Sequence, residues 1–208
     1  MTIKATMAMI WTMTGTLAAS GQAVGKVLVC VNSGDYEKGL TSLVVLARAE
    51  GISSRMFKSA GVALEWLSGG FGACRKPLQT QAVILDFAIN TPASQYPGAL
   101  AYALPYEGIH MVVLLDRIQK KAADPEQVSP LLAHVMTHEI THLLQGVSRH
   151  SETGVMKALW DSRDFRQMAY DKPLPFAPED IALIQRGLHL RAAGATFAVP
   201  PAATAEVR

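Results

Sequence analysis

Charge is scarce and evenly balanced in this sequence, and no stretch of the chain concentrates it. Charged residues make up 17% of the chain, with 19 Lys and Arg against 17 Asp and Glu and a formal net charge of +2. Without a basic excess or a run of like charges, the composition argues against a dedicated nucleic-acid-binding protein. It also argues against a surface that binds anionic membranes.

Cysteine is equally scarce, since the chain has only two, Cys30 and Cys74. Their spacing is not Cys-x-x-Cys, so nothing about the pair indicates redox catalysis. In an oxidising compartment the two could pair and stabilise the fold by roughly 3–4 kcal/mol. Two buried free thiols are the other interpretation, and both stay open at this point.

Apolar residues, by contrast, are plentiful, at 50% of 208 residues. We therefore predict one folded domain with a sizeable core rather than a disordered chain. We place this domain at residues 24–192. The segment 193–208 is rich in Ala and Pro and is predicted to be a flexible tail.

The N-terminal segment 1–23 is predicted to be a secretory signal peptide. It has a lysine at position 4, then an uncharged apolar stretch, and small residues near Ala23. The segment is too rich in threonine and too short for a comfortable membrane span, so no stable span is expected after its removal. The alternative is a buried first strand or helix of the mature domain. With a signal peptide, the mature protein is secreted or periplasmic.

Hydrophobic patterns along the rest of the chain predict an α+β domain. The helix expected at 129–145 has apolar residues on almost every side, which is typical of a helix buried inside a domain. Ser129 and Pro130 are predicted to begin it, and Gly146 to close it in the left-handed conformation. The other predicted elements are strands at 26–32, 62–67, 82–87, 99–104 and 109–115 and helices at 36–60 and 179–190.

The segment 138–142, His-Glu-Ile-Thr-His, carries the chemistry of the sequence. His138 and His142, four residues apart on a helix, project from one face and can both reach a single Zn²⁺ at roughly 2.0–2.1 Å. Glu139 stands where a carboxylate can act as general base on a metal-bound water. Such side chains on a buried helix are costly without a purpose, which favours a zinc site over a satisfied polar cluster.

A third histidine of this helix, His134, lies on the same face as the two predicted ligands. It is two turns from His142, about 12 Å along the helix axis. It therefore cannot share one ion with both ligands, and we interpret it as a core or supporting histidine.

A zinc site of this kind needs a third protein ligand and an open position. His150 is the leading candidate, because Gly146 lets the chain turn sharply after the helix and bring a residue back towards the metal. Asp161 and Asp164 are rival ligands, and Glu152 is a further one.

The segment 138–156 resembles the metzincin metallopeptidases, locally the matrix metalloproteinases among them. The matching residues run from His-Glu-x-x-His through Gly146 to His150 and on to Met156. The resemblance implies that Met156 is the Met-turn residue, which forms a floor under the metal. This chain has three residues, where the family has two, both before and after the glycine. An acidic third ligand would instead make the site similar to that of the aspzincins.

The resemblance, which extends more loosely to small predicted secreted bacterial metallopeptidases, also implies a zincin-like fold. In such a fold a twisted mixed sheet packs on two long helices, the second carries the zinc motif, and the C-terminal part is mostly irregular and helical. The family binds its substrate along an edge strand, for which 98–104 is the best match here. An ordinary edge strand is the other interpretation. Tyr170 could stabilise an oxyanion, although packing is the simpler role for it.

These observations predict a secreted, zinc-dependent endopeptidase with Glu139 as general base and a peptide or protein as substrate. The alternative is a zinc-binding envelope or secreted domain with weak or no peptidase activity. A hydrolase of another amide, such as one in cell-wall peptides, is a third hypothesis. Glu139 favours the enzyme, because a purely structural zinc site needs neither a base nor an open position. The oligomeric state is left open.

Overall fold

Within the described part of the chain, six strands form one mixed sheet. The predicted signal peptide at 1–23 lies outside this part, and so does Cys74. The computed structural model describes residues 25–34, 42–68, 82–105, 109–122 and 124–194, together with the backbone of 205–207.

The order of the strands across the sheet is β2-β1-β3-β5-β4-β6. The first four in this order are parallel to one another, whereas β4 runs antiparallel to β5 and β6 antiparallel to β4. Each of the five predicted strands is present, with bounds that differ by one or two residues. The strands are β1 Gly25–Asn32, β2 Val62–Ser68, β3 Ala82–Ala88, β4 Ala101–Ala103, β5 His110–Leu114 and β6 Ala205–Val207.

Strand β1 shows how the two faces of the sheet differ. Val27, Val29 and Val31 belong to the main core, whereas Cys30 belongs with Ile84 to a small second cluster. Successive side chains of a strand point to opposite faces, so the helices cover the valine face. On the other face Cys30 is disulfide-bonded. The sequence has one other cysteine, which lies outside the described residues.

Two long helices cover the valine face of the sheet and pack against each other: α1, Leu43–Ser59, and α3, Val128–Gln145. Every residue of α3 is buried, because α1, the sheet and a later helix, α5 (Pro178–Ala192), all lie against it. The predicted α+β class, with a mixed sheet and two long helices of which the second carries the motif, is confirmed. No helix in the described ranges is both long and apolar enough to cross a membrane.

Helix α3 begins differently from the prediction. It starts at Val128, directly after a 3₁₀ turn at Pro125–Gln127, and no side chain caps it. The Ser129 hydroxyl instead donates to the carbonyl of Val45, 3.1 Å away on α1. The prediction that Ser129 caps the helix was therefore wrong. Pro130 still falls in the first turn, where a missing N–H costs no helical hydrogen bond.

Two short helices lie where the sequence predicts none. Helix α2, Leu115–Lys121, follows β5 without a break, and α4, Ser162–Ala169, begins with a capping box between Asp161 and Asp164. Segments of seven or eight residues are too short to show a clear helical period. The capping box was also easy to overlook, because its third residue is Asp rather than the usual Glu or Gln.

The C-terminal segment differs from the flexible tail predicted at 193–208. Strand β6, Ala205–Val207, pairs with β4 in the antiparallel direction. Consequently β4, in the segment predicted to be an edge strand at 98–104, has a neighbour on both sides. An edge strand presents unpaired N–H and C=O groups that any extended segment can satisfy. Local composition does not reveal such a distant pairing.

Gly187 sets how closely α5 approaches α3, because a Cβ at this position would lie 1.7 Å from the carbonyl oxygen of Leu144. We expect Gly187→Ala to lower the free energy of unfolding by at least ~1–3 kcal/mol, since one helix must move. Gly51→Ala in α1 is the matched control, because its Cβ would meet only the guanidinium of Arg55, at 3.9 Å. The free energy of unfolding of the control should rise by up to about 1 kcal/mol, because alanine favours a helix more than glycine does. Urea unfolding followed by circular dichroism measures both, and an unchanged Gly187→Ala would contradict the close packing.

Candidate metal centre

Three histidines converge where α3 ends and the chain turns back. His138 and His142 lie one turn apart on α3, and His150 lies in the irregular segment that follows. Gly146 makes the turn in the predicted left-handed conformation, with φ 70° and ψ 22°. One ring nitrogen of each histidine lies within 4.8 Å of the other two. No other trio of His, Cys, Asp or Glu side chains in the described residues could hold a metal in this way.

The hydrogen bonds of the two α3 histidines determine their tautomers. Nδ1 of His138 lies 2.8 Å from the carbonyl oxygen of Val155, and Nδ1 of His142 lies 3.0 Å from that of Val147. A carbonyl can only accept, so each Nδ1 carries the proton and each neutral ring presents a lone pair at Nε2. The two Nε2 atoms are 3.0 Å apart. Two lone pairs cannot hydrogen-bond to each other, whereas a cation between them would bind both.

Burial keeps these imidazoles neutral. Both His138 and His142 have no exposed surface. Burial, followed by the proximity of His142, holds the pKa of His138 well below its usual 6.5. Burial, followed by the proximity of His150, lowers the pKa of His142 to about 3. Neutral imidazole is the form that binds metals, so both rings have the protonation state that a metal ligand needs at physiological pH.

The donor set fits zinc. Imidazole nitrogen binds Zn²⁺ at about 2.0–2.1 Å, so two such ligands lie at most about 4.2 Å apart. The 3.0 Å between the Nε2 atoms of His138 and His142 is within this limit. The ring centroids of the three histidines are 4.7, 5.0 and 5.2 Å apart, so the rings enclose one small space. Three imidazoles with a fourth position open are typical of a catalytic zinc site.

Glu139 is fully buried directly after the first of these histidines. A carboxylate is costly to bury unless charged or hydrogen-bonding groups compensate. A cation held by His138 and His142 would supply positive charge beside it. The site thus combines nitrogen ligands with a carboxylate able to accept a proton.

The segment after the third histidine packs back against α3. The carbonyl of Val155 also accepts from Nε1 of Trp160, at 3.3 Å, and the Trp160 ring meets the His138 ring edge-on, with centroids 5.8 Å apart. The Ser151 N–H donates to the carbonyl of Met156, at 2.8 Å. Met156 is fully buried in this turn. Its role as a floor under the metal stays a prediction.

The rival ligands predicted from the sequence do not join the histidine group. Asp161 and Asp164 cap helix α4, and both accept from the ammonium group of Lys157, at 3.1 and 2.5 Å. Glu152 is exposed. The geometry therefore favours His150 as the third ligand.

His134 lies in the core rather than at the metal centre, in agreement with its interpretation from the sequence. Its Nδ1 lies 2.7 Å from the carbonyl oxygen of Pro130, and its Nε2 accepts from the N–H of Leu174 at 3.0 Å. Both ring nitrogens are thus used. Tyr170 is 76% exposed at the end of α4, so it does not line the buried histidine group.

Sequence reasoning missed the groups that orient the ligands. The carbonyls of Val147 and Val155 carry no sequence signal, because every residue has a carbonyl. Asp180, whose carboxylate contacts both chain neighbours of His150, did carry a sequence signal. It lies in the first turn of the helix predicted at 179–190 and is the third residue of α5, where an acidic side chain accepts from a backbone N–H at the helix start. Its contact with the loop, however, depends on tertiary structure.

Comparisons with known proteins show likeness to solved structures only at a distant level. No protein-family model matches the chain, and no curated protein matches it. Among solved structures, the chain is similar to archaemetzincin from Methanopyrus kandleri, with 18% sequence identity and a TM-score of 0.46. The match covers 81% of this chain and 97% of that chain. A likeness this distant does not establish a family, so the function has to be derived from the site.

Removal of the third imidazole tests the metal centre directly. We expect His150→Ala to weaken zinc binding by more than the roughly 10–100-fold typical of losing an outer-shell partner. Competition with a chromogenic chelator measures the Kd for zinc. Glu152→Ala, two residues further on, is the matched control and should leave the Kd unchanged. The assignment is wrong if the control weakens zinc binding and His150→Ala does not.

His134 makes stability depend on pH. Burial lowers the pKa of His134 from 6.5 to about 4, so between these values the unfolded chain binds more protons than the folded one. Its contribution to stability is complete above pH 6.5 and is lost as the pH falls towards 4, by an amount on the order of 3 kcal/mol.

We therefore expect His134→Gln to flatten the dependence of the unfolding free energy on pH between 6.5 and 4. Urea unfolding of the zinc-free variant and of zinc-free wild type at several pH values measures both slopes. The difference between the slopes is the contribution of His134 alone, because the other histidines are the same in both proteins. His189→Gln is the control, because His189 is exposed. Equal slopes for His134→Gln and wild type would contradict a neutral, buried imidazole.

Proposed function

We propose that this chain is a secreted, zinc-dependent endopeptidase. The observation that carries the proposal is the facing pair of Nε2 atoms of His138 and His142, 3.0 Å apart on rings whose Nδ1 atoms are already hydrogen-bonded to carbonyls. His150 lies within reach of the same point. Glu139, the residue after His138 in the chain, is fully buried. Hydrolytic zinc sites use this combination of ligands and base.

Each of these side chains has a definite task in peptide hydrolysis. His138, His142 and His150 would hold the ion. The Nδ1 hydrogen bonds of His138 and His142 to carbonyls orient those two rings and raise their basicity as ligands. Zinc, when bound, supplies Lewis-acid chemistry that activates water and polarises the carbonyl of the scissile bond. Glu139 would take the proton of the attacking water and deliver it to the leaving amine.

The number of ligands favours an enzyme over a zinc-binding domain without activity. A structural zinc site is closed by four protein ligands. The described residues bring together three, all of them histidines. The vertex left over is where water and substrate would meet the metal.

Secretion is part of the proposal, and two features support it. The segment 1–23 has the composition of a signal peptide. Cys30 is disulfide-bonded, and disulfides persist mainly in oxidising compartments. The proposed substrates are peptides or unfolded proteins.

Glu139→Gln separates metal binding from catalysis. The amide has the shape of the carboxylate but cannot accept the proton, so we expect hydrolysis of denatured casein to fall by about 10²–10⁴-fold. The Kd for zinc should stay within a few-fold of wild type, because Glu139 is not a ligand. Fluorogenic casein and chelator competition measure the two quantities.

Glu152→Gln is the matched control, because this exposed glutamate lies close in sequence to the third ligand. Its casein hydrolysis should equal that of wild type. A Glu139→Gln variant that cleaves casein at the wild-type rate would refute the mechanism. A wild-type protein that binds zinc but cleaves neither casein nor a mixed peptide library would favour the zinc-binding domain without activity.

A further inference from the structure

Asp180 is a fully buried carboxylate on α5, 30 residues beyond the third histidine in sequence. Its Oδ1 accepts from the hydroxyl of Ser151 at 2.7 Å and from the guanidinium of Arg149 at 3.2 Å. Its Oδ2 accepts from the backbone N–H of Ala177 at 3.1 Å. Arg149 and Ser151 are the two chain neighbours of His150, so one carboxylate is bonded to both sides of the third ligand.

Further bonds attach the same loop to the start of α5. Nε2 of Gln145, the last residue of α3, donates to the backbone carbonyl of Asp180 at 3.3 Å. The Arg149 guanidinium also forms an ion pair with Glu179 and donates to the hydroxyl of Ser151, at 3.3 Å. The loop from the end of α3 to Ser151 is therefore attached at its beginning and at its end.

The third ligand needs such support more than the other two. His138 and His142 are held by α3, which is regular and buried, whereas His150 lies in a segment without helix or strand. Hydrogen bonds to a charged, buried carboxylate are stronger than neutral ones. Ligands that are already in place before binding give a metal site its affinity, because no ordering has to accompany binding.

We propose that Asp180 is the positioning residue for His150: it holds Arg149 and Ser151 so that the imidazole between them faces His138 and His142 before a metal arrives. It acts through the residues on either side of His150, to which its carboxylate is bonded. The inference rests on the metal centre argued under the proposed function.

Asp180→Asn tests this role, because asparagine keeps the shape of the side chain and removes its charge. We expect the Kd for zinc to rise by about 10–100-fold, the range typical of groups that orient a ligand. Chelator competition with zinc alone measures the Kd, and circular dichroism confirms the folded fraction. Ser151→Ala removes the 2.7 Å bond alone and should raise the Kd by a smaller factor. In the double variant with Asp180→Asn, the Kd should rise by less than the product of the two single factors, because both changes break the same hydrogen bond.

Two controls separate positioning from general stability. Glu152→Gln alters an exposed carboxylate two residues beyond His150 and should leave the Kd within twofold of wild type. Val62→Ala, in a strand at the far edge of the sheet from β4, should lower stability without changing the Kd of the folded protein.

The outcomes distinguish this inference from the proposed function. If Asp180→Asn and Ser151→Ala both bind zinc within twofold of wild type while His150→Ala does not, Asp180 has no positioning role and the metal centre stands. If His150→Ala binds zinc as tightly as wild type, the metal centre itself is wrong. Should Asp180→Asn fail to fold, Ser151→Ala and its double variant with Arg149→Met decide the question. An unchanged Kd in both would overturn the inference.

Discussion

The structure depends on burying a helix that carries four ionisable side chains. Every residue of α3 is buried, including His134, His138, Glu139 and His142. Buried polar groups need partners, and all three imidazoles of the helix find theirs in backbone groups. Several of these groups belong to the chain that follows the helix. The carbonyl of Pro130 lies in α3 itself, whereas those of Val147 and Val155 lie in the irregular segment that follows the helix. The irregular conformation of this segment thus supplies the acceptors for His138 and His142.

The spacing between His142 and His150 is two residues longer than in the metzincins that the motif resembles, and the fold accounts for both additions. Helix α3 continues to Gln145, so the turn at Gly146 starts about 1.5 Å further along the axis. The added residue after the turn spans up to about 3.3 Å of extended chain. The second addition therefore compensates for the first, and His150 still reaches the other two rings.

Periodic patterns predicted most of the fold, because burial imposes them. The strands, the buried helix and the left-handed Gly146 all follow from which residues must avoid water and from the freedom of glycine. The histidine pair was equally readable, since a spacing of four on a helix places both rings on one face. These features are local, or repeat at a fixed period.

Apart from the two short helices α2 and α4, the features that the sequence did not predict are set by tertiary contacts. Ser129 looks like a helix cap, but the neighbouring helix offers it the carbonyl of Val45 instead. Asp180 lies in the first turn of a predicted helix, and only the folded chain places it beside Arg149 and Ser151. Such partners are distant in sequence, so neither composition nor spacing encodes them.

Strand β6 changes what the sheet can offer to an outside chain. Residues 205–207 occupy the side of β4 that faces away from β5, and β6 also contacts α3, the helix of the histidines. Any extended ligand that joins β4 there has to take the place of this segment, so its binding is a competition between two strands for one set of backbone bonds. A strand of three residues forms few such bonds. The free energy needed to detach it is subtracted from the binding free energy of the incoming chain, so the apparent affinity for that chain is lower.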